Sequence, residues 1–302
     1  MMDRRTLLAG LAAAPLIASR AMAQAPAPLI TRRIPGIAEP LPIVGIGTAR
    51  RYENPEGEAA LAPLRETIRR FHQLGGRIID MAPSYGRAES VVGELVAGLG
   101  NRRDLIFSTK VGADSKEAGR QQIEQSFRNL RTDRIDLFFV HNIRDVDNQL
   151  ATLAELKQAG RIRALGITTS FDQQYQAFEA VMRRARLDCI QVDYALDNRG
   201  SAERILPLAQ ERGMAVMVNL PFGRDRLFNA TNGKPLPDWA KDIGCTSWAQ
   251  VFLKYVLSHP AVTCVVPGMS QARYVDDNLG AARGRMPDAA MRRRMEQFID
   301  AL

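Results

Sequence analysis

Four side chains in the first half of this 302-residue chain have the types needed to move a proton and steady charge on an oxygen. Asp80 lies in the run RIIDMAP, Tyr85 follows it in PSYG, Lys110 ends the apolar run LIFSTK, and His141 ends IDLFFVH. Singly, each has an ordinary role. A carboxylate caps a loop, a lysine after a strand is solvated, a histidine packs, a tyrosine after Pro-Ser sits in a turn. Together they differ, because a buried ammonium and a buried carboxylate are each costly alone and much less so as a pair. A phenol titrates near 10, too high for efficient proton donation at neutral pH. An ammonium about 4 Å away contributes roughly 4 kcal/mol at an effective dielectric of about 20, enough to lower the phenol by up to about three units. The expectation is therefore that Lys110 acidifies Tyr85, Asp80 anchors Lys110, and His141 polarises a carbonyl oxygen from the other side. That set suits carbonyl reduction and its reverse. The hydride must come from a cofactor, because no side chain carries one.

Such a set has to be held at one rim. Eight apolar runs recur along the chain, at 41–49, 77–83, 105–112, 135–142, 162–170, 189–196, 214–221 and 263–269. They are continuous rather than alternating, as in parallel strands covered on both faces. Helical periods separate them, among them 62–74 with Pro63 in its first turn, 88–99 ending at Gly100, and 201–212 with Ser201 as N-cap. Eight strand–helix units predict a single-domain α/β fold, a (β/α)₈ TIM barrel over 36–302, whose site lies at the C-terminal ends of the strands. An open doubly wound sheet is the competing architecture. It calls for a G-x-G-x-x-G turn, and only Gly45-x-Gly47 begins that way. The segment TRRIPGIAEP reads as a small hairpin before the first strand, and the insert 223–244 and the C-terminal helix 288–302 are too small for a second domain. Trp239 reads equally as a lid or as rim packing, Trp248 as core, and Phe222 and Phe228 as walls of an apolar pocket. His72 and His259 read as surface or packing residues.

The N-terminus follows a different logic. Arg4 and Arg5 precede the short apolar run from Leu7 to Ala18, and Ala21-Met22-Ala23 has the small-x-small pattern of a cleavage site. That order predicts a secretory signal over 1–23, and the paired arginines point to the twin-arginine export machinery and a periplasmic location. The apolar run falls short of the roughly 20 residues that span a bilayer. A linker and hairpin start occupy 24–35. The net charge is +8, and the leader's three arginines against Asp3 account for all but +6. The excess is scattered, as at Arg102-Arg103 and Arg292-Arg293-Arg294, with no interleaved aromatics, so no nucleic-acid partner is expected. Three cysteines, at 189, 245 and 264, give neither a metal-ligand spacing nor a disulfide framework; Cys189 and Cys264 read as buried small hydrophobes.

The segment Gly76-Arg77-Ile78-Ile79-Asp80-Met81-Ala82-Pro83-Ser84-Tyr85-Gly86 with Glu89, then Ser108-Thr109-Lys110-Val111-Gly112, then Asp136 to His141, resembles the aldo/keto reductase family. Gly166-Ile167-Thr168, Gln191 and Val266-Pro267-Gly268 running to Asn278 extend the resemblance over nearly the whole mature chain. It implies Tyr85 as the acid/base, Lys110 and Asp80 as its tuners, and His141 as the residue that orients substrate. It implies NADP as cofactor, with NAD as the alternative, and a small carbonyl or alcohol as substrate. Asp80 and Gln191 are implied near the nicotinamide, and Gly268, Ser270, Arg273 and Asn278 near the adenosine phosphate and adenine. Three positions depart from the family. Thr168-Thr169 stands where a Ser-Asn pair contacts the carboxamide, Asn219 where an aromatic ring stacks under the nicotinamide, and Tyr274 where an arginine often precedes the Asn. Ser270 and Arg273 are the candidates for a 2′-phosphate. A cofactor carried through export implies tight retention. The contrasting reading is a nicotinamide-binding sensor or accessory subunit with little turnover.

Overall fold

The computed structural model describes residues 27–302, so the leader lies outside the described residues. Thr31–Arg32 (β1) and Leu41–Pro42 (β2) pair as a short antiparallel hairpin. Eight parallel strands follow: Ile46–Gly47 (β3), Ile78–Asp80 (β4), Ile106–Val111 (β5), Ile135–His141 (β6), Ile162–Thr168 (β7), Cys189–Asp193 (β8), Ala215–Asn219 (β9) and Cys264–Val265 (β10). The helices are Gly57–Gln73 (α1), Ala88–Leu99 (α2), Lys116–Asn129 (α3), Val146–Gln158 (α4), Tyr175–Arg184 (α5), Ser201–Glu211 (α6), Arg226–Ala230 (α7), Trp248–Leu257 (α8), Ala272–Gly280 (α9) and Ala289–Asp300 (α10).

Each of the eight strands pairs with the next in sequence, and parallel bridges Val44–Val265 and Gly47–Gly268 join the first edge to the last. The sheet therefore closes as a barrel rather than opening into a doubly wound sheet. Gly47 is required at this seam, since a Cβ there would lie 2.5 Å from Val266 O.

The strand pleat sorts the core into two layers, because alternate side chains point to opposite faces. Ile79, Phe107, Phe138, Val140, Ile167, Ile190, Val216 and Val265 pack outward under the helices. Ile78, Ile106, Leu137, Phe139, Ala164, Cys189, Ala215, Met217 and Cys264 fill the interior together with Ile34, Ile37 and Leu41 of the hairpin segment. The hairpin thus plugs the end where the strands begin, and the opposite end is left for the site. All three cysteines are buried and free.

Three local expectations change. The run 41–49 divides, its first residues joining the hairpin. Helix α1 begins at Gly57, so Pro63 is inside it rather than in its first turn. The missing N–H there deprives Ala59, an exposed residue whose carbonyl water can serve. Ser201 is the first residue of α6 rather than its N-cap; its hydroxyl donates to Asp193 O at 2.8 Å and ties the helix to the end of β8. No helix among the described residues is long and apolar enough to cross a membrane.

Candidate active site

The pleat that sorts the core also aims the polar residues. Asp80 is two positions beyond interior Ile78, Lys110 four beyond interior Ile106, and His141 two beyond interior Phe139. By the same count Thr168, Gln191 and Asn219 follow Ala164, Cys189 and Met217. All six side chains consequently meet above one apolar floor, and all six line a cavity of ≈ 840 Å³. That size is within the range of about 300–1,000 Å³ common for cofactor and ligand sites.

Lys110 and Asp80 are 1% and 4% exposed, so neither charge survives here without the other. Lys110 Nζ donates to Asp80 Oδ1 at 2.9 Å, to Asp80 Oδ2 at 2.8 Å and to Met81 O at 2.7 Å. Ser108 Oγ donates to Asp80 Oδ1 at 2.7 Å. Beneath, Thr109 Oγ1 donates to Glu89 Oε1 at 2.6 Å, which locks β5 to α2 beside the lysine. Burial is the largest influence on Lys110 and works against its charge, but Asp80 and Tyr85 together outweigh it, and the ammonium is held above its usual range.

Tyr85, in the turn after β4, is half-buried, with Lys110 Nζ 5.3 Å from its ring centroid. Burial pushes the phenol above 10; Lys110 pulls it down without prevailing, and Asp80 adds to the rise. The expected acidification of the resting phenol is thus overturned. Lys110 arrives already neutralised by Asp80, and the desolvation of a phenolate exceeds what remains of its field. Tyr85 rests protonated, and the ammonium acts on the phenolate once the proton has left.

His141 faces Tyr85 edge-on, their ring centroids 6.3 Å apart. Gly112 makes room for it, since a Cβ there would lie 3.2 Å from His141 Cβ. Burial first, then Lys110 and Arg144, push the imidazole down to about 3. It is a neutral ring at working pH, able to donate one hydrogen bond. Its folded value lies below the unfolded value of about 6.5. Its stabilisation is therefore complete above that value and is lost as pH falls through about 3. The rate of carbonyl reduction is expected to show no imidazole inflection between about pH 5 and 8. An NMR titration of the His141 ring protons checks this, and a midpoint near 6.5 would refute it.

The rest of the wall is an amide relay. Thr168 Oγ1 donates to Gln191 Oε1 at 2.9 Å, and Gln191 Nε2 donates to Met217 Sδ at 3.1 Å. Asn219 Nδ2 donates to Thr169 O at 3.3 Å, while Asn219 Oδ1 is buried and accepts nothing. Thr169 Oγ1 turns to Gln174 Oε1 at 2.6 Å. Backbone strain gathers on this rim. Arg50, Asn142, Ile143, Asp145, Leu220, Arg224 and Asp225 all carry positive φ in loops that follow strands, the pattern of a functional surface.

Gly268, Ser270 and Asn278 also line the cavity, as expected; Arg273 does not. Its guanidinium lies over the ring of Tyr274, 4.9 Å from the centroid, and Tyr274 takes the place in the wall. Phe222 and Phe228 form an aromatic wall, with ring centroids 4.8 Å apart. Trp248, expected in the core, is half-buried and lines the cavity, stacked on Phe252. Trp239 packs edge-on against Phe298 away from the cavity. Sequence reasoning missed Arg50, Arg51, Glu53 and Arg224. For Arg50, Arg51 and Glu53 the available signal was the charged stretch directly after the first predicted strand; Arg224 lies in the loop after β9 and had none.

Residues 44–296 match the model of the aldo/keto reductase family. The chain is similar to aldo-keto reductase YhdN of Bacillus subtilis, with 33% identity over 168 residues, 51% of this chain and 50% of that protein. It is similar to methylglyoxal reductase YeaE of Escherichia coli, with 29% identity over 260 residues, 83% of this chain and 89% of that protein. A solved aldo-keto reductase from Klebsiella pneumoniae in complex with NADPH superposes with a TM-score of 0.76 at 25% identity, covering 90% of this chain and 95% of the other.

Proposed function

This chain belongs to the aldo/keto reductase family, and we propose that it is a reversible NAD(P)H-dependent reductase of aldehydes or ketones in which Tyr85 donates the proton. The observation that carries the reading is the buried Lys110–Asp80 pair beside a protonated Tyr85 on the same cavity wall as a neutral His141.

The cavity suits a nicotinamide dinucleotide in two ways. Asn219 Oδ1 is an unfilled buried acceptor in the wall that Thr168 and Gln191 share, which fits an amide donor. Arginines at the rim fit phosphate. NADP is the proposed cofactor, as in the Klebsiella pneumoniae complex, with NAD the alternative. Bound there, the cofactor supplies the hydride. His141 donates a hydrogen bond to the carbonyl oxygen and orients it. As negative charge grows on that oxygen, Tyr85 passes its proton across. The Lys110 ammonium then steadies the phenolate, and Asp80 keeps Lys110 charged and in place.

The leader sequence supports a second part of the proposal: removal of residues 1–23 and twin-arginine export to the periplasm with the cofactor already bound. One preparation tests both parts. The full chain is expressed, and the protein of the periplasmic fraction is sequenced from its N-terminus, titrated by fluorescence with NADPH and NADH, and assayed on a panel of carbonyl compounds. The expected result is a chain beginning at Gln24 that binds NADPH and reduces at least one aldehyde or ketone. Absence from the periplasm ends the export part; failure to bind either nucleotide ends the reductase part.

A further inference from the structure

The bridge between Gly47 and Gly268 makes the loops after β3 and β10 one continuous stretch of cavity wall. Arg51 leaves the first loop and lies over Gly268. A Cβ at 268 would sit 3.7 Å from Arg51 Cγ and 3.9 Å from Arg51 Nε, with Gly47 O next at 4.0 Å. Arg51 is exposed and lines the cavity, and its guanidinium has neither an ion pair nor a side-chain hydrogen bond among the described residues. Two carboxylates that line the cavity near this stretch, Glu53 and Asp277, have other partners. Glu53 Oε1 accepts from Arg50 N at 2.8 Å. Asp277 accepts from Ser247 Oγ at 2.8 Å and from Gln250 Nε2 at 2.8 Å. The last loop's own arginine is also occupied: Arg273 does not line the cavity, and its Nη2 donates to Oη of the wall residue Tyr274 at 3.1 Å.

We infer that Arg51, and not Arg273, binds a phosphate of the dinucleotide, reaching it from the first loop across the barrel seam. The inference rests on the reductase reading. A planar guanidinium without a carboxylate partner is matched by an oxyanion that takes two parallel hydrogen bonds. Gly268 lets that oxyanion approach the backbone of the last loop while Arg51 covers it from the side. Ser270 and Gln271 continue the same wall. Both the 2′-phosphate and the pyrophosphate have this chemistry.

The test compares the whole enzyme with its Arg51→Gln and Arg273→Gln variants in fluorescence titrations with NADPH and NADH. Arg51→Gln is expected to weaken NADPH about 10- to 100-fold, as the loss of a charged bidentate contact does. Arg273→Gln is expected to shift it by less than about twofold. A loss confined to NADPH assigns the contact to the 2′-phosphate, and an equal loss for both nucleotides assigns it to the pyrophosphate; either supports the inference. Unchanged binding of both nucleotides by Arg51→Gln overturns it, as does a larger loss in Arg273→Gln. A wild-type protein that binds neither nucleotide overturns the reductase reading, and this inference with it.

Discussion

Tyr85→Phe lowers kcat for carbonyl reduction by about 10²- to 10⁴-fold, the usual worth of a positioned proton donor. The substitution removes one oxygen and keeps the ring, so the edge-on contact with His141 and the approach of Lys110 to the ring remain. NADPH affinity should stay within about twofold, because the lost group acts on the reacting oxygen rather than on the nucleotide. The phenol rests protonated because burial pushes it up. Its proton is therefore available at neutral pH, and its loss is not compensated by a shift in another side chain. His141 cannot substitute: with its imidazole pushed down to about 3 it is neutral at working pH, and its one remaining N–H donates a hydrogen bond but is far too weak an acid to give up its proton. Residual turnover would come from water entering the cavity. Single-turnover absorbance of NADPH, with dissociation constants from fluorescence, checks both halves. A variant within about tenfold of wild-type kcat would remove Tyr85 from its role, and a wild type that binds nucleotide with little turnover to lose would favour the nicotinamide-binding sensor.

The barrel and the three strand-borne members of the central set, Asp80, Lys110 and His141, were legible for one reason: a strand's pleat has period two, so a polar residue at a strand end shares the direction of the apolar residue two or four before it. Ile78 and Asp80, or Phe139 and His141, carry that information in sequence. Loop residues carry none of it. Arg51 and Arg224 reach the cavity through loops in which Arg50 and Arg224 themselves take left-handed backbone, and composition does not announce such a conformation. Trp248 was hidden for a related reason. A tryptophan at a helical period reads as core, and whether its outer edge meets solvent or a cavity depends on where the insert before it folds back. The misjudged sign at Tyr85 has a third origin. Counting Lys110 alone predicts an acidic phenol, whereas the resting state contains a neutralised pair and a buried ring.

That same pair makes Lys110→Met a strongly damaging substitution, with an expected loss of about 3–5 kcal/mol of stability from an orphaned buried carboxylate. Asp80 would keep the hydrogen bond from Ser108 but lose both from Lys110, in a position 4% exposed. The double variant Asp80→Asn/Lys110→Met leaves no charge to desolvate, and replacing a whole buried pair is often neutral. Its denaturant midpoint should recover most of the loss. Activity should not recover with it. Without the ammonium the phenolate left by proton transfer has no counter-charge, and kcat is expected to stay about 10²- to 10³-fold down in both variants. Stability and rate thus separate: the charges must balance for the barrel to fold, and one of them must be positive beside Tyr85 for the proton to move. Guanidinium unfolding of wild type, single and double variants, set beside their kcat values, decides it. Equal midpoints for single and double, or a double that regains turnover, would show that the pair does not hold its charge in the way its geometry implies.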